Sequence, residues 1–561
     1  AKHREYGLDL WYEIEYDADT NPSELADVYS LLNEVELAKP VYKKIRIDGN
    51  FKPEFLPADS LKLKLKSRPT SSLSSTSKNF SAKATDSDFD DPYLDQQWHY
   101  DNDGTLGVAG ADIDLFKAWT KETGKSDIIV SIVDGGIDTD HEDLADHMWV
   151  NEAEMNGEPG VDDDNNGYID DIHGYNFKFG GEITDHDHGT HVAGTVGAIN
   201  NNGIGVAGVA GGDGTEGTGV KLMSCQVFDK RGGSGGNFAS AIVYGADNGA
   251  IISQNSWGYN QPGYYEPEVL EAIRYFIAEA GQYDGSPMKG GIFIAAAGNT
   301  GRIEDHYPAA FDESLAVASL GPARTPAPYS THGDWVDISA PGGDQSYYTK
   351  EGGVLSTLPD DGYGFMQGTS MACPHVSGVA ALVISKFGGE GFTPAALRSI
   401  LINSTERFSF EADEKYGVGS LNAANALAED EVIAPDTIDD LAVAEIFHDR
   451  ITIEWTVPED EDNFQPSHFY LAMSEREITA SNFDSQQLLF AFNNPYEAGT
   501  EVSVSIGALK KQTEYWFALK SADRYENVSP ISNILNATTT DVPSFKESGR
   551  EFEVIIDVTE N

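Results

Sequence analysis

Three histidines fall within six residues of "HDHGTHVAG", His186 to Gly194. His188 and His191 stand at i and i+3, on one face of a helix, where two imidazoles could share a zinc ion. Zinc chemistry of the HExxH kind needs a glutamate between its histidines, and none is there. The other chemistry open to this stretch is that of a catalytic base, which requires a nucleophile, an orienting acid and oxyanion donors elsewhere in the chain. Asp134 ends the apolar run "IIVSIVD" and precedes Gly135-Gly136, so a buried strand end would hold it rigidly. Ser370 lies at the start of "GTSMACPHVSGVAALVISKF", where a helix N-terminus offers its dipole and its N–H groups to a developing oxyanion. Asn299 ends "GIFIAAAGN", at another strand edge, with an amide that can donate. Singly, these residues read as a cap, a turn and a loop. Jointly, they are the parts of an acyl-transfer site.

The elements that must position them come next. Over residues 91–430, the short apolar runs "DIIVSIVD", "VKLMSCQVF", "GAIISQNSWG" and "GGIFIAAAGN" alternate with the helical stretches "HVAGTVGAI", "FASAIVYGADNG" and "MACPHVSGVAALVISKF". This predicts an α/β fold, a mostly parallel sheet with helices on both faces and its ligands at the carboxyl ends of the strands. Ahead of it, "YGLDLWYEIEYD" (6–17) reads as a strand, "NPSELADVYSLLNEVELA" as a helix and "VYKKIRID" as a strand. That is a small α+β unit, followed by a Ser-rich linker over 67–88. From about residue 434, "DDLAVAEIFHDRITIEWTVPED" and "TEYWFALKSADRYENVSP" read as short strands of a β-sandwich reaching to about 540. The tail, 541–561, reads as the start of something further.

A second chemistry is written in "DDDNNGYIDD". Asp162, Asp164 and Asn166 alternate, and Gly167, Tyr168, Asp170 and Asp171 follow, as in an EF-hand-type Ca2+ loop. The bidentate glutamate of such loops is missing, and His173 stands in its place.

The ordered motifs "VDGGIDTDHEDL", "HGTHVAG", "AAGN" and "GTSMACPHVSG" resemble those of the subtilisin-like serine proteases, the subtilases, over residues 91 to about 430. The order Asp, His, Ser is that of subtilisin. The resemblance implies Asp134 as orienting acid, His188 as base, Ser370 as nucleophile and Asn299 as oxyanion donor, with His191 structural. It also implies a substrate strand held between Gly233-Ser234-Gly235 and Ser256-Trp257-Gly258. Trp257 reads equally as a pocket wall and as core. A second Ca2+ site is implied at Asp91, Asp143 and Asn202, with the carbonyls of Ile199, Ile204 and Val206. The first 90 residues resemble a prodomain, the enzyme's own inhibitory partner, and 434–540 a fibronectin type III domain, through Trp455 and Tyr470.

Composition narrows the rest. The net charge is −55, from 37 basic and 92 acidic residues. Residues 1–90 carry 13 basic against 16 acidic, so nearly all of the excess, 24 against 76, lies beyond them. Such a surface repels nucleic acid. No apolar run is read as a membrane span, and the first residues have no signal-peptide core, so any export signal lies outside this sequence. Cys225 and Cys373 read as unpaired, small core residues. The expectation is a secreted, Ca2+-stabilised serine endopeptidase acting on proteins or peptides, made as a zymogen and cut between Ser67 and Asp90, near Phe80 to Thr85. The rivals are an adhesion scaffold on a vestigial protease fold, and a convertase cutting after basic residues.

Overall fold

The structure, a computed structural model, describes residues 89–230, 235–406, 414–429, 433–460, most of 466–541 and scattered residues between 3 and 55. The chain divides into two compact units, Ala1–Ala428 and Glu429–Asn561.

The first unit is built on a seven-stranded parallel sheet. Its strands are β1 (Ile129–Gly135), β2 (Gly174–Asn176), β3 (Lys221–Phe228), β4 (Ile252–Asn255), β5 (Ile292–Ala296), β6 (Leu315–Leu320) and β7 (Ile338–Pro341), in the spatial order β7-β6-β5-β4-β1-β3-β2. Each adjacent pair is parallel. The continuous apolar runs are explained by burial on both faces. Along β1, Val130 and Ile132 point into one core with Val192 and Val196 of helix α1 (Asp187–Gly197) and Val376 and Val379 of helix α4 (Thr369–Phe387). Val133 points into the opposite core with Phe238 of helix α2 (Phe238–Asp247) and Phe276 of helix α3 (Pro267–Glu279). The sheet's period of two sends alternate side chains to the two helical layers. The expected strands and helices of residues 91–430 are therefore where the sequence places them.

By length and apolar composition, α4 could cross a membrane, which amends the expectation of no such run, but most of it is buried inside the fold.

In the N-terminal region, Pro22–Tyr29 is helical and Lys44–Arg46 is a strand, as expected. The strand expected over 6–17 is not seen where it is described: Leu8–Leu10 form a 3-10 turn. Tyr6 and Leu8 pack on the α2–α3 core, with the Tyr6 ring 5.3 Å from that of Tyr275. Two apolar residues spaced by two satisfy this contact without a strand. Residues 12–17, the linker at 67–88 with its expected cut, and the tail after residue 541 lie outside the described residues.

The second unit has two antiparallel sheets. One holds Ala442–Ile446, Ile451–Thr456 and Glu501–Ile506, and the other His468–Ser474, Leu488–Asn493, Glu514–Ala522 and Leu535–Thr538. Trp455, Phe469, Leu471 and Phe517 share its core, and the Trp455 and Phe469 rings lie 5.3 Å apart. This is a β-sandwich.

Candidate active site

Asp134 sits at the carboxyl end of β1, where the ladder to β3 shifts register between Asp134 and Gly135. The shift ends regular pairing and leaves the carboxylate at the sheet edge. One oxygen, Oδ1, accepts the N–H of Gly135 at 2.6 Å and faces His188 Nδ1 at 2.7 Å. Both side chains are completely buried. His188 is the second residue of α1, whose first turn is fixed by His186: the His186 Nδ1 accepts the His188 N–H at 3.0 Å. Only glycine fits at position 189, because a Cβ there would lie 2.1 Å from the Gly135 carbonyl oxygen. His191 faces away, its Nε2 against the carbonyls of Val354 and Gly364 at 3.0 and 3.2 Å. Burial pushes its pKa down to about 3, so it stays neutral.

Ser370 lies in the first turn of α4, just after Gly368, whose φ of 148° suits glycine. The Ser370 hydroxyl donates to the Ser256 carbonyl at 3.4 Å, and the Ser256 hydroxyl donates to the Ser370 carbonyl at 3.0 Å. The Asn299 Oδ1 accepts the N–H and the hydroxyl of Thr369 at 2.9 and 3.0 Å. With its oxygen held there, the Asn299 amide keeps its nitrogen as the donor end, beside the residue that precedes Ser370. Thr369 is a positioning residue that the motif contained but the sequence reading did not single out.

Of the expected substrate edges, Gly235 is described, and Gly233 and Ser234 lie outside the described residues. The other edge is regular strand, Trp257–Tyr259, and it is paired antiparallel with Lys44–Arg46. Trp257 is fully buried, 4.2 Å from the Phe238 ring, with its Nε1 donating to Asn255 Oδ1 at 3.0 Å. Cys225 and Cys373 are both free and buried, and burial raises both thiols.

In the loop at 162–171, a residue from outside the loop joins the carboxylates. Glu154, from the short helix Glu152–Met155, brings a carboxylate oxygen to within 4.8 Å of those of Asp162 and Asp164. No local spacing signals it, because it precedes the loop by eight residues. Asp170 instead accepts the Gly160 N–H with both oxygens, at 3.0 and 2.9 Å. Asp171 is buried and accepts from Tyr244 at 2.6 Å and from Asn151 at 3.0 Å. The Asn166 amide donates to Asp164 and Asp171, and the Tyr168 ring packs edge-on to Tyr175 and Tyr244.

The second cluster also comes together. Asp143 accepts the Asn202 amide at 2.7 Å and the Val206 N–H at 3.0 Å, and its carbonyl accepts the Ile199 N–H at 3.0 Å. Asp91 accepts the Asn201 N–H at 2.9 Å, while its buried Oδ1 has no hydrogen-bond partner. The Asn202 oxygen accepts the Ile204 N–H at 2.8 Å, so the amide turns its nitrogen toward Asp143. Burial raises Asp143 to about 8, with Asp91 adding to it, and raises Asp91 to about 6.

A buried Asp–His pair at a parallel strand end, with a serine in the first turn of a buried helix, defines a subtilisin-like serine protease. The description of the Subtilase family (Peptidase_S8) matches residues 125–419, more than half of the chain. The chain belongs to the subtilase family and is a serine endopeptidase. It is 28% identical to Subtilisin-like protease 1 of Plasmodium berghei over 74% of this chain and 69% of that one. It is 30% identical to the Extracellular basic protease of Dichelobacter nodosus over 60% of this chain and 55% of that one. With Thermitase of Thermoactinomyces vulgaris the identity is also 30%, over 55% of this chain and 92% of that one.

Proposed function

We propose that this chain is a secreted, Ca2+-stabilised endopeptidase, made as a zymogen, that cleaves proteins or peptides through an acyl-enzyme on Ser370. The observation that carries the reading is the buried 2.7 Å contact of His188 Nδ1 with Asp134, on the same carboxyl edge as the first turn of α4. In this reading, His188 takes the Ser370 proton as the hydroxyl attacks the scissile carbonyl, then gives it to the leaving amine. Asp134 fixes the ring so that Nε2 faces the chemistry and stabilises the imidazolium. The developing oxyanion meets the Asn299 amide and the Ser370 N–H, where the α4 dipole favours negative charge. A substrate strand would lie on Ser256-Trp257-Gly258 and between it and 233–235, held by main-chain hydrogen bonds that tolerate many sequences.

Ca2+ fits the second cluster, since a buried oxygen of Asp91 has no hydrogen-bond partner and burial disfavours charge on the nearby Asp143 unless a cation balances it. Asp91, Asp143, a turned Asn202 and the carbonyls of Ile199, Ile204 and Val206 would hold it. Asp162, Asp164, Asn166, Tyr168 through its carbonyl, Asp171 and Glu154 would hold a second, with Asp170 supporting the loop. Both would stabilise the fold and take no part in the chemistry.

The zymogen reading is supported by Lys44–Arg46, which lies along the Trp257–Tyr259 edge that a substrate would need. Phe89 packs 4.9 Å from Trp119, and Asp90 accepts the Gly203 N–H at 2.8 Å. A cut between Ser67 and Asp90 would leave both anchored. Secretion is supported by the extracellular relative of Dichelobacter nodosus. The β-sandwich would be a fibronectin type III-like binding or spacing module.

The test is Ser370→Ala. A loss on the order of 10⁶ in kcat is expected, the scale for a serine of such a triad, together with retention of the N-terminal segment. A purified variant that still removes that segment would overturn the reading.

A further inference from the structure

Beside the Ser256–Gly258 edge is a slot that the peptidase chemistry leaves unexplained. Its floor is Glu266, 3% exposed, the residue that precedes α3. Its carboxylate makes no capping bond to that helix. The backbone N–H of Glu266 is held by the Tyr259 hydroxyl at 3.1 Å, which ties the residue to the edge strand. The Lys44 ammonium enters the slot and pairs with the Glu266 carboxylate. It also lies 5.0 Å from the centre of the Phe238 ring and 5.5 Å from that of Tyr259. Lys44 is only 6% exposed. A carboxylate with two aromatic faces is a built receptor for a desolvated cation.

The register says where such a cation belongs in a substrate. Lys44 pairs with Tyr259, residue 45 with Gly258 and residue 46 with Trp257, antiparallel. Ser256, whose carbonyl accepts the Ser370 hydroxyl, is the next residue along the edge toward the nucleophile. A peptide in this register carries the residue opposite Tyr259 three positions upstream of the residue opposite Ser256. We propose that Glu266 is a specificity-determining residue, and that the slot it floors selects a lysine or arginine side chain of the substrate at that upstream position. Lys44 fills the same slot from the enzyme's own N-terminal segment. Once the segment leaves, a substrate lysine or arginine restores a cation to Glu266, and a neutral side chain does not.

The inference rests on the peptidase reading, so its test has two arms. In the first, mature enzyme is given fluorogenic peptides that differ only three positions upstream of the residue held at Ser256, with Lys, Arg, Leu or Glu there. The expected kcat/KM for Lys or Arg exceeds that for Leu by at least about tenfold, with Glu lowest. In E266Q, the Lys-to-Leu ratio is expected to fall to about one. Equal rates with the wild type, or an unchanged ratio in E266Q, would overturn the proposal. The second arm needs no hydrolysis. The Ser370→Ala chain, cut within residues 67–88 by an added protease and freed of its N-terminal segment, is titrated with the labelled Lys and Leu peptides, followed by fluorescence anisotropy. Tighter binding of the Lys peptide by about tenfold or more is expected, and equal binding overturns the slot. A chain that discriminates here but cleaves nothing would retain the slot and lose the peptidase reading.

Discussion

The loop at 162–171 and the pocket around Asp91 and Asp143 both gather carboxylates, but they relieve the repulsion in opposite ways. In the loop, backbone N–H groups and side-chain amides answer the charge from outside: Asn166 and Gly167 N–H groups reach Asp162, and the Asn151 amide bridges Asp164 and Asp171. Much of that loop is exposed, so water shares the task. In the pocket, Asp143 is fully buried, and burial holds its proton on. Acidic residues in a row thus mark a site that solvent already half-satisfies. The pair separated by 52 positions in the chain marks one that depends on a cation or a proton.

The strongest way to break this comparison is chelation. Metal removal by EDTA is expected to lower the melting temperature, with about 4 kcal/mol at stake if free Ca2+ exceeds its Kd a thousandfold. An unchanged melting curve after complete metal removal would dismiss both clusters as Ca2+ sites.

Asp143→Asn sharpens it. In excess Ca2+ the substitution is expected to cost about 3 kcal/mol, because one ligand charge is lost from a buried site. In EDTA the variant should lie within about 1 kcal/mol of the parent, since the amide buries no charge. Equal losses in both conditions, measured by denaturant titration, would mean that Asp143 acts only through its hydrogen bonds.

The same contrast between buried and exposed groups predicts the acid limb. Burial lowers His191 to about 3 and His375 to about 4, and the latter's Nε2 lies 2.8 Å from His99. Below the ordinary histidine value of 6.5, the unfolded chain takes up protons that the fold refuses. With Ca2+ in excess, so that the carboxyls of Asp91 and Asp143 are held ionised and their opposite contribution is removed, stability should therefore fall as pH drops from about 6.5 toward 3. Urea midpoints of the Ser370→Ala chain across this range would check it, and a flat profile would contradict neutral burial of these rings.

The smallest effect is expected at Asp170. Because its carboxylate serves the Gly160 N–H, Asp170→Asn should change stability by about 1 kcal/mol or less and leave Ca2+ affinity nearly intact. Asp164→Asn should weaken the affinity clearly. Calorimetric titration of the two variants compares them, and a larger loss at Asp170 would place it among the ligands.

What was legible follows from the range of the physics. Continuous apolar runs and helical periods are local, so the parallel sheet and its helical layers could be read directly. The motifs around Asp134, His188, Asn299 and Ser370 carry their own local geometry, a strand end before Gly-Gly or a serine in a first helical turn. Glu154 reaches the loop from a neighbouring element, which no local spacing signals, and alternation does not say that Asp170 turns both oxygens to a backbone N–H. Leu8–Leu10 coils where alternation predicted a strand, because the partner surface there is a helix pair and not a sheet edge.

By itself, the sequence determined the class of chemistry, since nucleophile, base, acid and amide each sit in a short stretch whose backbone shape is set by its neighbours. It also determined the acidic loop, whose residues lie side by side. Only the tertiary structure decided that Asp91 meets the Asn201 backbone and that Asp143 meets Asn202 and Val206. It alone decided that Glu266 floors an aromatic slot and that Lys44 lies in it. Lys44 and Glu266 are 222 residues apart. Their pairing follows from the packing of an edge strand against α2 and α3, and nothing within either local stretch encodes that packing.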